Sequence, residues 1–191
     1  MCDLKSMEAQ KEYPAQLPVL VTEHLLLRRL EQTDITDFVS LRCDGLVNQY
    51  LNRPKTITVP EAKAYVSKIE NGLNKQWFYW AISLKDSPAL IGTVCLWNFN
   101  EKNESAELGY ELSPLFQGKG LMQEALAKVI QYGFETAQFK RIIAYTHSGN
   151  DRSKRLLQKA GFARDLSLEK KLHEIDANSE DIVYSLEMAR L

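Results

Sequence analysis

The chain has 191 residues, a formal net charge of −1 and a sequence pI near 6.3, so it is long enough for one domain with a full core and lacks the basic footprint that a nucleic-acid-binding module needs. Hydrophobic residues make up 45% of it and charged residues 26%, an ordinary balance for a globular protein, and no apolar run approaches the roughly 20 residues that span a bilayer, so no membrane is expected as a partner. The three cysteines and three histidines are scattered, which argues against a disulfide framework and against a metal site, and residues 1–10 lack the apolar centre of a secretory signal, which makes cytoplasm the expected compartment.

Residues 1–18 are polar, with Pro14 and Pro18, and are expected to form a loose arm ahead of a single domain at 19–191. Residues 25–30 read as a short strand. Thr33 or Asp34 can cap a helix that reaches about Cys43 and turns Ile35, Phe38, Val39 and Leu41 inward. Residues 50–58, with Arg53 and Pro54, read as a loop, and Pro60 suits the first turn of a second helix to about residue 73. Strands are expected at 77–84 and 90–98, joined by the turn Lys85-Asp86-Ser87-Pro88. A polar turn at 100–105 leads to a strand at 106–112, and these short links imply an antiparallel meander. After Pro114 and a turn at 117–120, Met122, Ala125, Leu126, Val129, Ile130, Gly133 and Phe134 recur at helical spacing. Residues 139–146 read as a strand, 150–160 as a helix closed by Gly161, and 162–172 and 182–188 as the last strands. The order βααβββαβαββ is α+β, or mixed α/β, without an internal repeat.

Residues 107–125 carry the chemistry. A strand that runs into a glycine-bearing turn and then a helix leaves several backbone N–H groups unpaired at the positive end of the helix dipole, which is a site for an anion and most often a phosphate. Gly118 and Gly120 allow close approach of the backbone to a ligand. The two familiar phosphate-loop templates are absent: there is no Gly-x-x-x-x-Gly-Lys-Ser/Thr and no Gly-x-Gly-x-x-Gly with a later acidic residue.

Gln117, Gly120 and Met122 stand at the three places of Gln/Arg-x-x-Gly-x-Gly/Ala, with Met122 departing from that pattern. Residues 20–28 form an opening block with His24 where an arginine is usual, and residues 150–162 form a closing block, Asn-x-x-Ser-x-x-Leu-x-x-x-x-Gly-Phe. In this order the three blocks resemble the GNAT N-acetyltransferases, and most nearly their RimJ/RimL-type branch, whose members acetylate the terminal amine of ribosomal proteins. The resemblance implies the GNAT acyl-CoA N-acyltransferase fold, a strongly twisted central mixed sheet of about seven strands flanked by helices and parted between 106–112 and 140–146. It implies acetyl-CoA as co-substrate, without a metal. The pantetheine arm would pair with backbone at Glu111, Leu112 and Ser113. The diphosphate would sit on the amides of Gln117, Gly118, Lys119, Gly120, Leu121 and Met122. Asn150 would reach the same arm, and Lys119, Arg152 and Lys154 could meet phosphates.

Acetylating an amine requires a neutral nucleophile, a stabilised oxyanion and a proton for the leaving thiolate. An α-amine with a pKa of about 7.7 to 8.0 is roughly 10–20% neutral at pH 7, while a lysine amine near 10.4 is almost wholly charged, so a chain terminus demands only a mild base. Glu107 matches the place where many GNAT enzymes keep such a carboxylate, often acting through water, and Glu111 is a second candidate two pleats along. Ser153 matches the serine that the branch uses to donate to, or orient, the thiol. The expected function is direct transfer of an acetyl group to the terminal amine of a protein, with a homodimer compatible with the sequence. A small amine acceptor (polyamine, amino acid or aminoglycoside) and an inactive CoA-binding sensor remain as alternatives.

Overall fold

The structure, a computed structural model, describes residues 16–72, 77–102 and 104–188. Its strands are β1 (Leu20–Val21), β2 (Leu25–Arg29), β3 (Trp77–Leu84), β4 (Gly92–Asn100), β5 (Ser105–Leu112), β6 (Arg141–His147), β7 (Ala163–Arg164) and β8 (Asp181–Glu187). Its helices are α1 (Ile35–Cys43), α2 (Val59–Gly72), α3 (Leu121–Glu135), α4 (Asp151–Lys159) and α5 (Leu166–Ile175). The strands form one eight-stranded sheet in the order β1-β2-β3-β4-β5-β6-β8-β7. Strands β3, β4 and β5 form the expected meander, with Phe78 opposite Leu96 and Leu96 opposite Leu108. Strand β6 is parallel to β5 because the whole of α3 intervenes and returns the chain to the same end of the sheet.

Alternation along the strands feeds two helix layers. On one face Phe78, Trp80, Leu96 and Leu108 pack with Leu126 and Val129 of α3 and Leu157 of α4. On the other, Tyr79 and Ala81 meet Phe38 of α1 and Val66 of α2. Helix α5 also lies on this second face, where Leu168 shares a cleft with Ile143 and Tyr145 of β6. The ground over β5 and β6, between α1–α2 and α5, is left open.

The end of the chain corrects the expected order. Residues 162–172, expected as a strand, supply only the two-residue β7 before α5 begins. Asp165 caps that helix, its Oδ1 accepting from the N–H of Leu168 at 3.0 Å, and Glu169, Lys170 and Lys171 are good helix formers. The alternation of Leu166 and Leu168 mimics a strand for one repeat only. Of the expected N-terminal arm, residues 1–15 lie outside the described residues. Leu17 is buried in the larger core, and the carbonyl of Pro18 accepts from Trp80 Nε1 at 2.9 Å, so residues 17 and 18 pack with the domain.

Strands β5 and β6 pair only at Ser105–Arg141, Ala106–Ile142 and Glu107–Ile143. Beyond Glu107 they part. The N–H of Ser113 donates to the carbonyl of Ile91 at 2.8 Å. By antiparallel alternation the amides of Glu111 and Gly109 therefore also face β4, while Tyr110 and Leu112 turn their backbone groups into the gap.

Candidate active site

The turn after β5 is shaped for an anion. Gly118 and Gly120 have φ of 76° and 80°, left-handed values that a side chain disfavours. A Cβ at either would meet nothing within 4 Å, so torsion rather than space demands glycine there. The first bond of α3 runs from Glu124 N–H to Gly120 C=O at 3.0 Å, and among the described residues the amides of 118–123 donate to no protein group. Six N–H groups at the positive end of a 15-residue helix favour a diphosphate. Leu121 and Met122 bury their side chains in the core, so they offer only backbone to a ligand. The Met122 departure thus falls on the core side of the turn.

Gln117 spans the mouth of the gap. Its Nε2 donates to the Leu112 carbonyl at 2.9 Å, and its Oε1 accepts from Arg152 Nη1 at 2.9 Å on α4. Of the basic residues expected near phosphate, Arg152 is held by this bond, and Lys154 is held by Asp151 at 2.7 Å and by the Ser148 carbonyl at 2.6 Å. Lys119, whose Nζ lies 5.4 Å from the centre of the Phe116 ring, has no carboxylate within ion-pair distance among the described residues. Asn150 caps α4, its Oδ1 accepting from the Ser153 N–H at 3.1 Å.

The two residues expected to handle protons lie on opposite faces of β5. Ser153 is buried in the first turn of α4, with its Oγ 2.8 Å from the Tyr110 hydroxyl. Burial pushes the Tyr110 phenol up to about 12, against the lowering effect of that hydrogen bond. Glu107 points to the other face, at the last rung before the strands part. Burial raises its pKa above the ordinary glutamate range, and a hydrogen bond from Asn98 Nδ2 at 2.6 Å works against the rise. A carboxylate so placed can accept a proton nearer neutrality than an exposed one can.

Asn98 gives no sign of this role in the sequence. It sits at φ 49° where the β4–β5 register shifts between Trp97 and Asn100. This is a β-bulge, and it turns Asn98 onto the same face as its neighbour Trp97. Tyr110 carries a weak signal as part of Glu-Leu-Gly-Tyr, since its parity puts it opposite Glu107.

Glu111 is not placed to act as a base. Its Oε1 lies 2.8 Å from Arg42 Nε and its Oε2 2.7 Å from Arg53 Nη2, and it accepts from Thr93 Oγ1 at 3.1 Å. The Arg42 N–H is poorly aligned with that oxygen, so this contact is ionic rather than a good hydrogen bond. Arg53 also donates to Asn48 Oδ1 at 2.8 Å within the α1–α2 loop, so its bond to Glu111 fastens that loop to β5. Tyr50 of the same loop packs on His147 of β6, ring centres 5.2 Å apart. These residues brace the parted strands.

Cys95 lies beside this network, and burial pushes its thiol up to about 12. A thiol that remains protonated is a poor nucleophile. Among the described residues no group of three His, Cys, Asp or Glu side chains is arranged to hold a metal, and no helix is long and apolar enough to cross a membrane.

Comparison with known proteins points the same way as the geometry. Residues 24–163 match the family described as acetyltransferase (GNAT) domain. The chain is similar to the uncharacterized N-acetyltransferase YoaA of Bacillus subtilis, 28% identical over 88% of this chain and 96% of that protein. It is also 28% identical to the [ribosomal protein uS5]-alanine N-acetyltransferase of Escherichia coli, over 76% of this chain and 78% of that one. A solved GNAT-family acetyltransferase from Bacillus anthracis superposes with a TM-score of 0.75 at 23% identity, covering 89% of this chain and 98% of the other.

Proposed function

The chain belongs to the GNAT acetyltransferase family, and from that premise we propose that it transfers acetyl from acetyl-CoA directly to the α-amine at the terminus of a protein. The observation that carries this reading is the set of amides at 118–123 without a protein partner among the described residues, beside strands that part after Glu107. That turn has the donors, the dipole and the open approach that a diphosphate needs, and Lys119 adds a nearby positive charge. The gap edge formed by Tyr110 and the N–H of Leu112 offers backbone groups to an amide-bearing arm in the manner of an added strand. When bound, the thioester supplies an activated acyl carbon.

This chain's own residues would do the rest from two sides. From the acceptor face, Glu107 takes the proton of the incoming amine, directly or through a water, with Asn98 fixing its orientation. From the α4 face, the Ser153–Tyr110 hydroxyl pair lies where it can hydrogen-bond to a leaving thiolate. A thiol of pKa near 8.5 needs only a modest donor. The named activity of the Escherichia coli relative, an N-acetyltransferase of ribosomal protein uS5, supports a protein terminus over a small amine, and the absence of a membrane-spanning helix among the described residues is compatible with a cytoplasmic substrate.

The test is release of free thiol from acetyl-CoA in the presence of peptides with free N-termini, spermidine and lysine. Turnover with peptides is the expected result. Turnover with spermidine alone would move the acceptor to the small amines, and cofactor binding without any turnover would leave a sensor.

A further inference from the structure

On the face that carries Glu107, a cleft of about 550 Å³ opens between α5 and the turn that joins β4 to β5. Its walls differ in character. Ile143 and Tyr145 of β6 and Leu168 of α5 form an apolar wall, and Tyr145 keeps 40% of its surface exposed there. Asn98, Asn100 and Glu101 form a polar wall, brought round by the bulge at Asn98. Glu107 stands where the two walls reach the parted strands. Among the described residues, the charged ones that line the cleft are Glu101, Lys102 and Glu107, two carboxylates against one ammonium.

This charge balance complements one positive charge. It suits a single ammonium group better than the several of a polyamine or an aminoglycoside. Two walls of opposite polarity suit a ligand that is itself two-sided, with backbone amides along one edge and a side chain on the other. Successive residues of an extended chain advance by about 3.3–3.6 Å, so a terminal residue whose amine is at Glu107 has its own side chain within the reach of Tyr145. An exposed aromatic ring and a partly exposed leucine beside a carboxylate gain most from a large apolar neighbour.

We propose that this cleft is the acceptor subsite, and that it takes the amine end of an extended polypeptide whose first side chain is large and apolar, seated against Tyr145 and Leu168 with the backbone along Asn98 and Asn100. The assignment rests on acetyl transfer to a chain terminus, as proposed above. It makes Tyr145 and Leu168 specificity-determining residues.

Initial rates with short peptides that differ only in the first residue, Gly, Ser, Leu or Phe, with spermidine alongside, test it in the wild type and in Tyr145→Ala and Leu168→Ala. The wild type is expected to favour Leu-first and Phe-first over Gly-first peptides by about tenfold in kcat/KM, the discrimination that an apolar pocket typically provides. Each substitution is expected to bring that ratio towards one. A flat preference or a preference for small first residues in the wild type overturns the subsite while leaving the terminal-amine reading in place, and so does a ratio that neither substitution moves. Acetylation of spermidine with no peptide acetylated overturns both.

Discussion

At the scale of single residues, Glu107 and Asn98 act as a unit. Burial raises the Glu107 pKa, so the carboxylate is competent as a base only above a pH higher than the usual glutamate value of about 4.3. Activity should therefore fall as pH drops through that raised value. Glu107→Gln is expected to lower kcat/KM by about 10²–10⁴-fold near neutrality. The deficit should shrink as pH rises through about 7.7 to 8.0, where a terminal amine loses its proton unaided; an equal deficit at every pH would point to a structural role. Asn98→Ala removes the donor that opposes the effect of burial. The acid limb of the kcat/KM–pH profile should then move to higher pH, and an unmoved limb would separate Asn98 from the carboxylate.

At the scale of elements, β5 organises the molecule because its two faces do different work. Tyr110 meets Ser153 on the α4 side, while Glu107 and Glu111 look towards the acceptor side and the α1–α2 loop. Glu111 belongs to the brace: it is buried and paired with Arg42 and Arg53. Removing one partner of such a cluster leaves charge uncompensated, so Glu111→Ala is expected to lower stability by about 3–5 kcal/mol, read from the urea unfolding midpoint. A loss under about 1 kcal/mol would mean that water already screens the cluster. Much of this scale was legible in the sequence, because it is written in local patterns: the meander from its polar turns, α3 from its three-and-four spacing, the close of α4 from Gly161. What was not legible needed non-local information. The bulge at Asn98 arises from a one-residue mismatch between two strands, the partners of Glu111 come from residues 42 and 53, far away along the chain, and α5 was concealed by a short alternation of leucines that Asp165 overrides.

At the scale of the whole molecule, the parted sheet lets two reactants meet without sharing an entrance. In the function proposed above, the thioester carrier approaches the turn before α3, and the amine approaches over β5 and β6 between α1–α2 and α5. Recognition of the first depends on backbone amides and two left-handed glycines, which is why three short sequence blocks suffice to mark the family. In the proposed subsite, recognition of the second depends on side chains such as Tyr145 and Leu168 that come from separate elements, so the acceptor cannot be read from any one block. The account stands on the amides of 118–123, which can be observed directly. In amide spectra of the ¹⁵N-labelled protein titrated with coenzyme A, the signals of Gly118, Gly120, Leu121 and Met122 are expected to shift most and to saturate together. Binding that leaves those four signals in place, or no binding at all, would contradict it.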